Sequence, residues 1–222
     1  MQAVLLSRVF MYRLFQSLFG SEPSKEQMSI VAGNESRQAI CFFSIFEDAP
    51  YDDSAKAFSG VLSQLRESLS ESIDALKSEY TRHYLGPEKL AAPPWESVYV
   101  SKKRLVFQES TLGVRQAYYE QGYRAKAFRR VPDDHIAIEC DFVASLAQRA
   151  CDALDEDDSI ALREALEASL RFLEEHLSVW IVPYAADLAN AENAPFYAPV
   201  ACLARDFVAL DKRILEELVS SL

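Results

Sequence analysis

Glycine is scarce in this chain. The six glycines among 222 residues are Gly20, Gly33, Gly60, Gly86, Gly113 and Gly122, and no two lie within four residues of each other. A phosphate loop and a dinucleotide-binding turn need closely spaced glycines, so that backbone amides can reach the phosphate. Both are excluded. The same scarcity argues against a fold with many tight hairpins. Paired cysteines are missing too: Cys41, Cys140, Cys151 and Cys202 form no CxxC or other metal-spaced pair. On one helix Cys140 and Cys151 would share a face about 16 Å apart, too far for a disulfide or a shared ion. Isolated buried thiols in a reducing compartment are the expectation.

Positive charge is also short. The chain carries 23 Lys and Arg against 34 Asp and Glu, a formal charge of -11. Nucleic acid binding needs concentrated Lys and Arg, and the only basic run is Lys102-Lys103-Arg104. An acidic surface suits a basic partner, or simply keeps the chain dissolved. No apolar run approaches the ~20 residues of a membrane span. Arg8 and Arg13 interrupt the N-terminal apolar stretch before an export signal can form. A soluble, cytoplasmic protein is expected, with no transmembrane segment.

What the chain has is helical period. Leu6, Val9, Phe10, Leu14 and Leu18 lie on one stripe, and Ile136, Cys140, Val143, Ala147 and Ala150 on another. Leu162, Leu166, Leu170, Leu173 and Leu177 form a third. Phe196, Val200, Leu203, Phe207, Leu210, Ile214 and Leu218 form the longest, read as packing inside a bundle rather than as a coiled-coil seam. Such spacings predict a single all-α domain over residues 1–222, a bundle of roughly eight to ten helices. The nearest approach to a strand is Ser97 to Phe107. The punctuation adds detail. Ser110 or Thr111 is expected to cap a helix that stops near Gly122. Pro132 suits the first turn of the next helix, and the acidic run Asp155 to Asp158 the start of the one after. Pro183 should end or kink that helix near Trp180, and Asn193 and Pro195 should precede the last. Asp48 to Asp53 reads as a turn and Gly86 to Ser101 as a proline-rich loop.

No enzyme signature is present: there is no GxSxG, HExxH, zinc-ligand pair or phosphate loop. His83, His135 and His176 are far apart in sequence. No catalytic residue, metal or redox cofactor is expected. Asp133, Asp134 and His135 could form an acid-base group, or the aspartates could cap a helix and complement its dipole. The loop carries Tyr84, Trp95 and Tyr99 around Pro87, Pro93 and Pro94, with Glu96 beside them. Proline pre-sets the backbone, and Trp and Tyr offer large area with a polar tip, which suits recognition. A strap that packs its aromatics on the bundle would use the same residues.

Two segments go together. Glu79-Tyr80-Thr81-Arg82, Tyr84-Leu85-Gly86-Pro87 and Pro93-Pro94-Trp95-Glu96-Ser97-Val98-Tyr99 are followed by Glu109-Ser110-Thr111-Leu112 with Val114-Arg115, then by Pro132-Asp133-Asp134-His135-Ile136. This order resembles the TorD/DmsD/NarJ family of cytoplasmic redox-enzyme maturation chaperones, closest to the TorD/DmsD branch. His176-Leu177, Trp180, Pro183 and Pro195-Phe196-Tyr197 look like its C-terminal helices. The likeness spans roughly residues 60 to 218, and more loosely Arg8, Tyr12 and Leu14 of the N-terminal helix. It departs in the smaller Ala137, Cys140 and Ala144 after the acidic signature, where packing should differ.

The resemblance implies a non-catalytic protein. Such chaperones bind the twin-arginine signal peptide of a molybdenum-cofactor reductase and hold the apoenzyme until the cofactor is inserted. Components of the twin-arginine translocon are further candidate partners. The implied peptide site is a groove walled by Tyr84, Trp95 and Tyr99, with Pro94 and Ser97 in the loop and Glu96, Asp133 and Asp134 at the rim. In it Glu96 and Asp134 would meet the arginines, and His135 would orient the acids or donate to peptide carbonyls. A helical adaptor for another partner helix is the alternative, and a nucleotide-binding or nucleotide-hydrolysing protein a further one. A monomer and a helix-swapped dimer both remain open.

Overall fold

The computed structural model describes residues 1–86, 89–101, 104–106, 108–124 and 132–222. Pro87, Lys102, Lys103 and Phe107 of the segments discussed above lie outside the described residues. The helices are α1 (Gln2–Gly20), α2 (Lys25–Val31), α3 (Asn34–Phe42), α4 (Ala49–Tyr80), α5 (Glu96–Val100), α6 (Glu109–Glu120), α7 (Ile136–Asp155), α8 (Ser159–Phe172), α9 (Ser178–Ala189) and α10 (Tyr197–Ser221). A 3₁₀ turn covers Phe43–Phe46, and π-helical turns cover Thr81–Leu85 and Leu173–Leu177. The all-α expectation holds, with no strand among the described residues.

α1 packs along α7, α7 against α8, and α10 against α4, α8 and α9. Three of the four stripes face the core much as their spacing predicts. The first does not. Leu6 is 53% exposed, while Leu5, Arg8, Tyr12, Phe15 and Phe19 are fully buried. The buried face of α1 is thus turned by about one residue at its start. The cause is Arg8, a cation that the stripe left out. Its Nε and Nη2 donate to Asp211 of α10 at 2.6 and 3.1 Å, and Tyr12 donates its hydroxyl to the same carboxylate at 2.8 Å. Burial alone would lower the Arg8 pKa, but the charge and hydrogen bonds of Asp211 together outweigh it and keep the guanidinium charged. Phe207, four residues before Asp211 on α10, packs its ring against Tyr12, Phe15, Phe43 and Tyr51.

Several local expectations are corrected. Asp48 to Asp53 is no free turn: the Asp48 side chain accepts from the Tyr51 N–H and caps α4, with Pro50 in its first turn. α6 starts at Glu109, so Ser110 and Thr111 lie inside it, and its N-cap Gln108 makes no side-chain cap bond. Pro132 precedes α7 rather than opening it; the N-cap is His135. Ser97 to Val100 is helical, not extended, and interrupts the proline-rich loop. Pro183 sits inside α9 without ending it. Its ring and Val179, whose carbonyl the missing N–H would have bonded, both face solvent, where water can take the freed acceptor. Asp158 does cap α8, accepting from the amides of Ile160 and Ala161 at 3.1 and 3.0 Å.

Candidate functional site

The two singled-out segments meet. Ile136 N–H donates to the Pro94 carbonyl and Glu96 N–H to the Asp134 carbonyl, both at 3.0 Å, so Trp95 and His135 pair as an isolated antiparallel bridge. The Ser97 N–H donates to Asp134 Oδ2 at 2.9 Å. α5 has only five residues and its N-cap, Trp95, makes no side-chain cap bond. Asp134 therefore caps it from 37 positions along the chain. His135 caps α7 in turn: its Nδ1 accepts from the Ala137 N–H at 3.1 Å, which places the proton of the neutral ring on Nε2. Burial pushes its pKa down to about 4. Asp133 receives Arg115 Nε at 2.5 Å, and its carbonyl accepts from the Tyr118 hydroxyl at 3.0 Å, fixing α6.

Behind this junction lies a nest of acids. Glu96 Oε2 stands 3.1 Å from His176 Nδ1. Glu139 Oε2 accepts from Trp180 Nε1 at 3.1 Å. Burial raises the Glu139 pKa well above the carboxylate range, and the charges of Glu96 and Asp134 add to this. Burial also raises Glu96, against the pull of His176. The polar groups here are only partly matched. Thirteen buried side-chain polar atoms have no hydrogen-bond partner among the described residues, and eight belong to this junction. They are Trp95 Nε1, Ser97 Oγ, Tyr99 Oη, Ser101 Oγ, Ser110 Oγ, Thr111 Oγ1, Asp134 Oδ1 and Glu139 Oε1. Such atoms are commonly served by ordered water, and their concentration here marks a polar junction within an otherwise apolar bundle.

The expected groove is rearranged. Tyr84 is no wall: it is buried among Tyr80, Tyr197 and Phe19, with its hydroxyl 2.8 Å from that of Tyr184. Glu96, Asp133 and Asp134 do not line a rim; each is at most 3% exposed and already engaged. Trp95 and Tyr99 are half-buried, Tyr99 stacking on Trp180. Large apolar residues are exposed at the end of α5 (Val100), just after it (Leu105 and Val106) and on α9, which packs against α5 (Val179 and Val182). Arg104 lies over the Tyr99 ring at 5.2 Å and donates to Asp187 of α9 at 3.0 Å. Its φ of 49° is a conformation that residues with side chains seldom adopt. Sequence reasoning named neither Glu139 nor His176 as part of the site. A signal existed for the first, since Glu139 falls on the apolar stripe of Ile136, Cys140 and Val143. Nothing local marks the second.

Among the described residues no cluster of His, Cys, Asp and Glu could hold a metal ion. No described helix is long and apolar enough to cross a membrane.

The profile of the nitrate reductase delta subunit family matches residues 50–186. The chaperone protein TorD of Aliivibrio salmonicida is 27% identical over 94% of both chains. The chaperone protein TorD of Vibrio cholerae is 26% identical over 95% of this chain and 93% of its own. The probable Tat proofreading chaperone DmsD of Haemophilus influenzae is 27% identical over 58% of this chain and 56% of its own. The fold is also that of a crystal structure of a redox enzyme maturation protein from Archaeoglobus fulgidus, at a TM-score of 0.50 and 20% identity, covering 91% of this chain and 93% of the other.

Proposed function

From the premise that this chain belongs to the nitrate reductase delta subunit family, whose relatives here are chaperones and maturation proteins and not enzymes, we propose that it is a chaperone for a redox enzyme. We infer further that it acts in the cytoplasm on a molybdenum-cofactor oxidoreductase, binds that enzyme's twin-arginine signal peptide and holds the apoenzyme during cofactor insertion. The supporting observation is the α5 junction: exposed apolar residues on and after α5 and on the α9 that packs against it, half-buried Trp95 and Tyr99, and buried polar atoms unpaired among the described residues.

A signal peptide has an apolar segment and a basic end. The apolar segment would cover Val100, Val179 and Val182, removing them from water. A leader arginine needs an aromatic face and a carboxylate, and Tyr99 with Asp187 offers both, as Arg104 demonstrates. Glu96 and Asp134 would then act from beneath, by their field and by holding α5, rather than by direct contact.

Calorimetry against the twin-arginine leaders of molybdenum-cofactor reductases tests this reading. The expected Kd is micromolar or tighter, about -8 kcal/mol. A leader with both arginines replaced by lysine should bind more weakly, because only the guanidinium is a planar fork. No heat and no complex with any such leader at high protein concentration would overturn the reading.

A further inference from the structure

A cavity of about 800 Å³ opens where the end of α4 and the π-turn after it face the loop between α9 and α10. It shares no lining residue with the α5 junction. Its described lining includes Lys77, Arg82 and Lys89 against one acid, Glu192. In a chain of charge -11, three cations to one anion run against the overall balance. None of the three forms a salt bridge among the described residues. Glu79 and Glu26 stand within electrostatic reach of Arg82 and Lys77 without ion-pair contact, and Glu79 Oε1 is taken by the amides of Phe196 and Tyr197 at 2.9 and 2.8 Å.

Cations at a helix end can simply complement the helix dipole. That accounts for Lys77 at the end of α4. It does not account for Lys89, which comes from the following loop. The wall opposite is fixed in place. His83, only 2% exposed, donates from Nε2 to the Asn193 carbonyl at 3.1 Å, and Asn193 holds a left-handed φ of 56°. A left-handed residue tied down by a buried imidazole is a pre-formed wall, which lowers the cost of binding.

We propose that this cavity binds a small molecule bearing oxyanion groups, either phosphates or carboxylates. Two lysines provide point charges and Arg82 a planar fork, which together suit oxygens at more than one position. The volume lies within the small-molecule range of about 300–1,000 Å³, larger than one inorganic ion needs. The described lining offers no Phe, Tyr or Trp face for a nucleobase.

The test uses the full chain at low salt, with inorganic pyrophosphate and citrate titrated separately by calorimetry. Saturable binding of either is expected, and the preferred probe tells phosphate from carboxylate. Arg82→Ala with Lys89→Ala should weaken it by at least about ten-fold. Both side chains are exposed, so thermal melting should stay unchanged. Arg37→Ala with Lys56→Ala removes the same charge from exposed sites elsewhere and should bind as the parent does. No binding of either anion up to about 10 mM, a Kd beyond any specific site, would overturn the proposal. So would equal losses in the two double variants.

Discussion

Two buried charge clusters hold this bundle, and they are built differently. Arg8, Tyr12 and Asp211 clasp α1 to α10 with both carboxylate oxygens engaged and a single orphan nitrogen, Arg8 Nη1. Glu96, Asp134 and Glu139 crowd three acids around one imidazole and one indole N–H, and leave orphans on two of the three. The first cluster has matched charges and reads as structure. The second has more carboxyl groups than partners, which raises the Glu139 and Glu96 pKa values, and it lies under the surface proposed to take the leader. The first joins α1 to α10; the second joins α5, the start of α7 and α9.

The largest expected effect breaks the clasp. Asp211→Ala strands a buried guanidinium and should cost about 3–5 kcal/mol in chemical denaturation. Arg8→Met with Asp211→Leu should recover most of that loss, because it removes both charges. If the single variant melts like the parent, the clasp is not what distinguishes the two clusters.

Next comes Trp95→Ala at the other cluster. Leader affinity should fall about 30-fold, ~2 kcal/mol, while the unfolding midpoint moves less. Equal losses in binding and stability would make Trp95 a packing residue.

Glu139→Gln sharpens the contrast through pH. The raised folded pKa means that the native state keeps its proton while the unfolded chain releases one above about pH 4. The parent should therefore lose stability as pH rises from about 4 towards the folded pKa of Glu139. Glutamine keeps an oxygen for the Trp180 N–H and has no proton to lose. The variant should be the more stable form at pH 8 and show a flatter profile over this range, read from denaturation midpoints. A variant less stable than the parent at pH 8 would mean that the acid cluster is no burden.

Asp134→Asn is the smallest. It keeps an acceptor for the Ser97 N–H and removes one charge, so stability should change by less than the ~1 kcal/mol of a lost cap. A drop in leader affinity without a drop in stability would show that the buried charge is felt at the surface.

Much of the fold could be read from residue spacing. The stripe from Ile136 and the cap at Asp158 stand where periodicity and dipole chemistry put them, because both depend on neighbours within a turn or two. The site was less legible, because its contacts are distant. α5 is too short to declare itself, and its cap lies 37 residues on. Tyr84 reads as a recognition aromatic by composition, yet Tyr184 and Tyr197 draw it into the core. Pro183 reads as a breaker, but a proline on a wet helix face leaves an acceptor that water can serve.

The π-turn at Leu173–Leu177 has a consequence for how this chain could evolve or be engineered. Upstream and downstream of it, α8 and α9 form one rod with two rotational phases. The wide turn absorbs one surplus residue, so the rod is out of step with itself by about 100°, one residue's rotation at 3.6 per turn. Deleting a single residue there would leave a regular helix and spare the Leu162 and Leu166 face. It would also swing Trp180 off Glu139 and Tyr184 off Tyr84. An insertion of one residue, usually the mark of damage, is here what keeps the far half of the rod in register with the rest of the bundle.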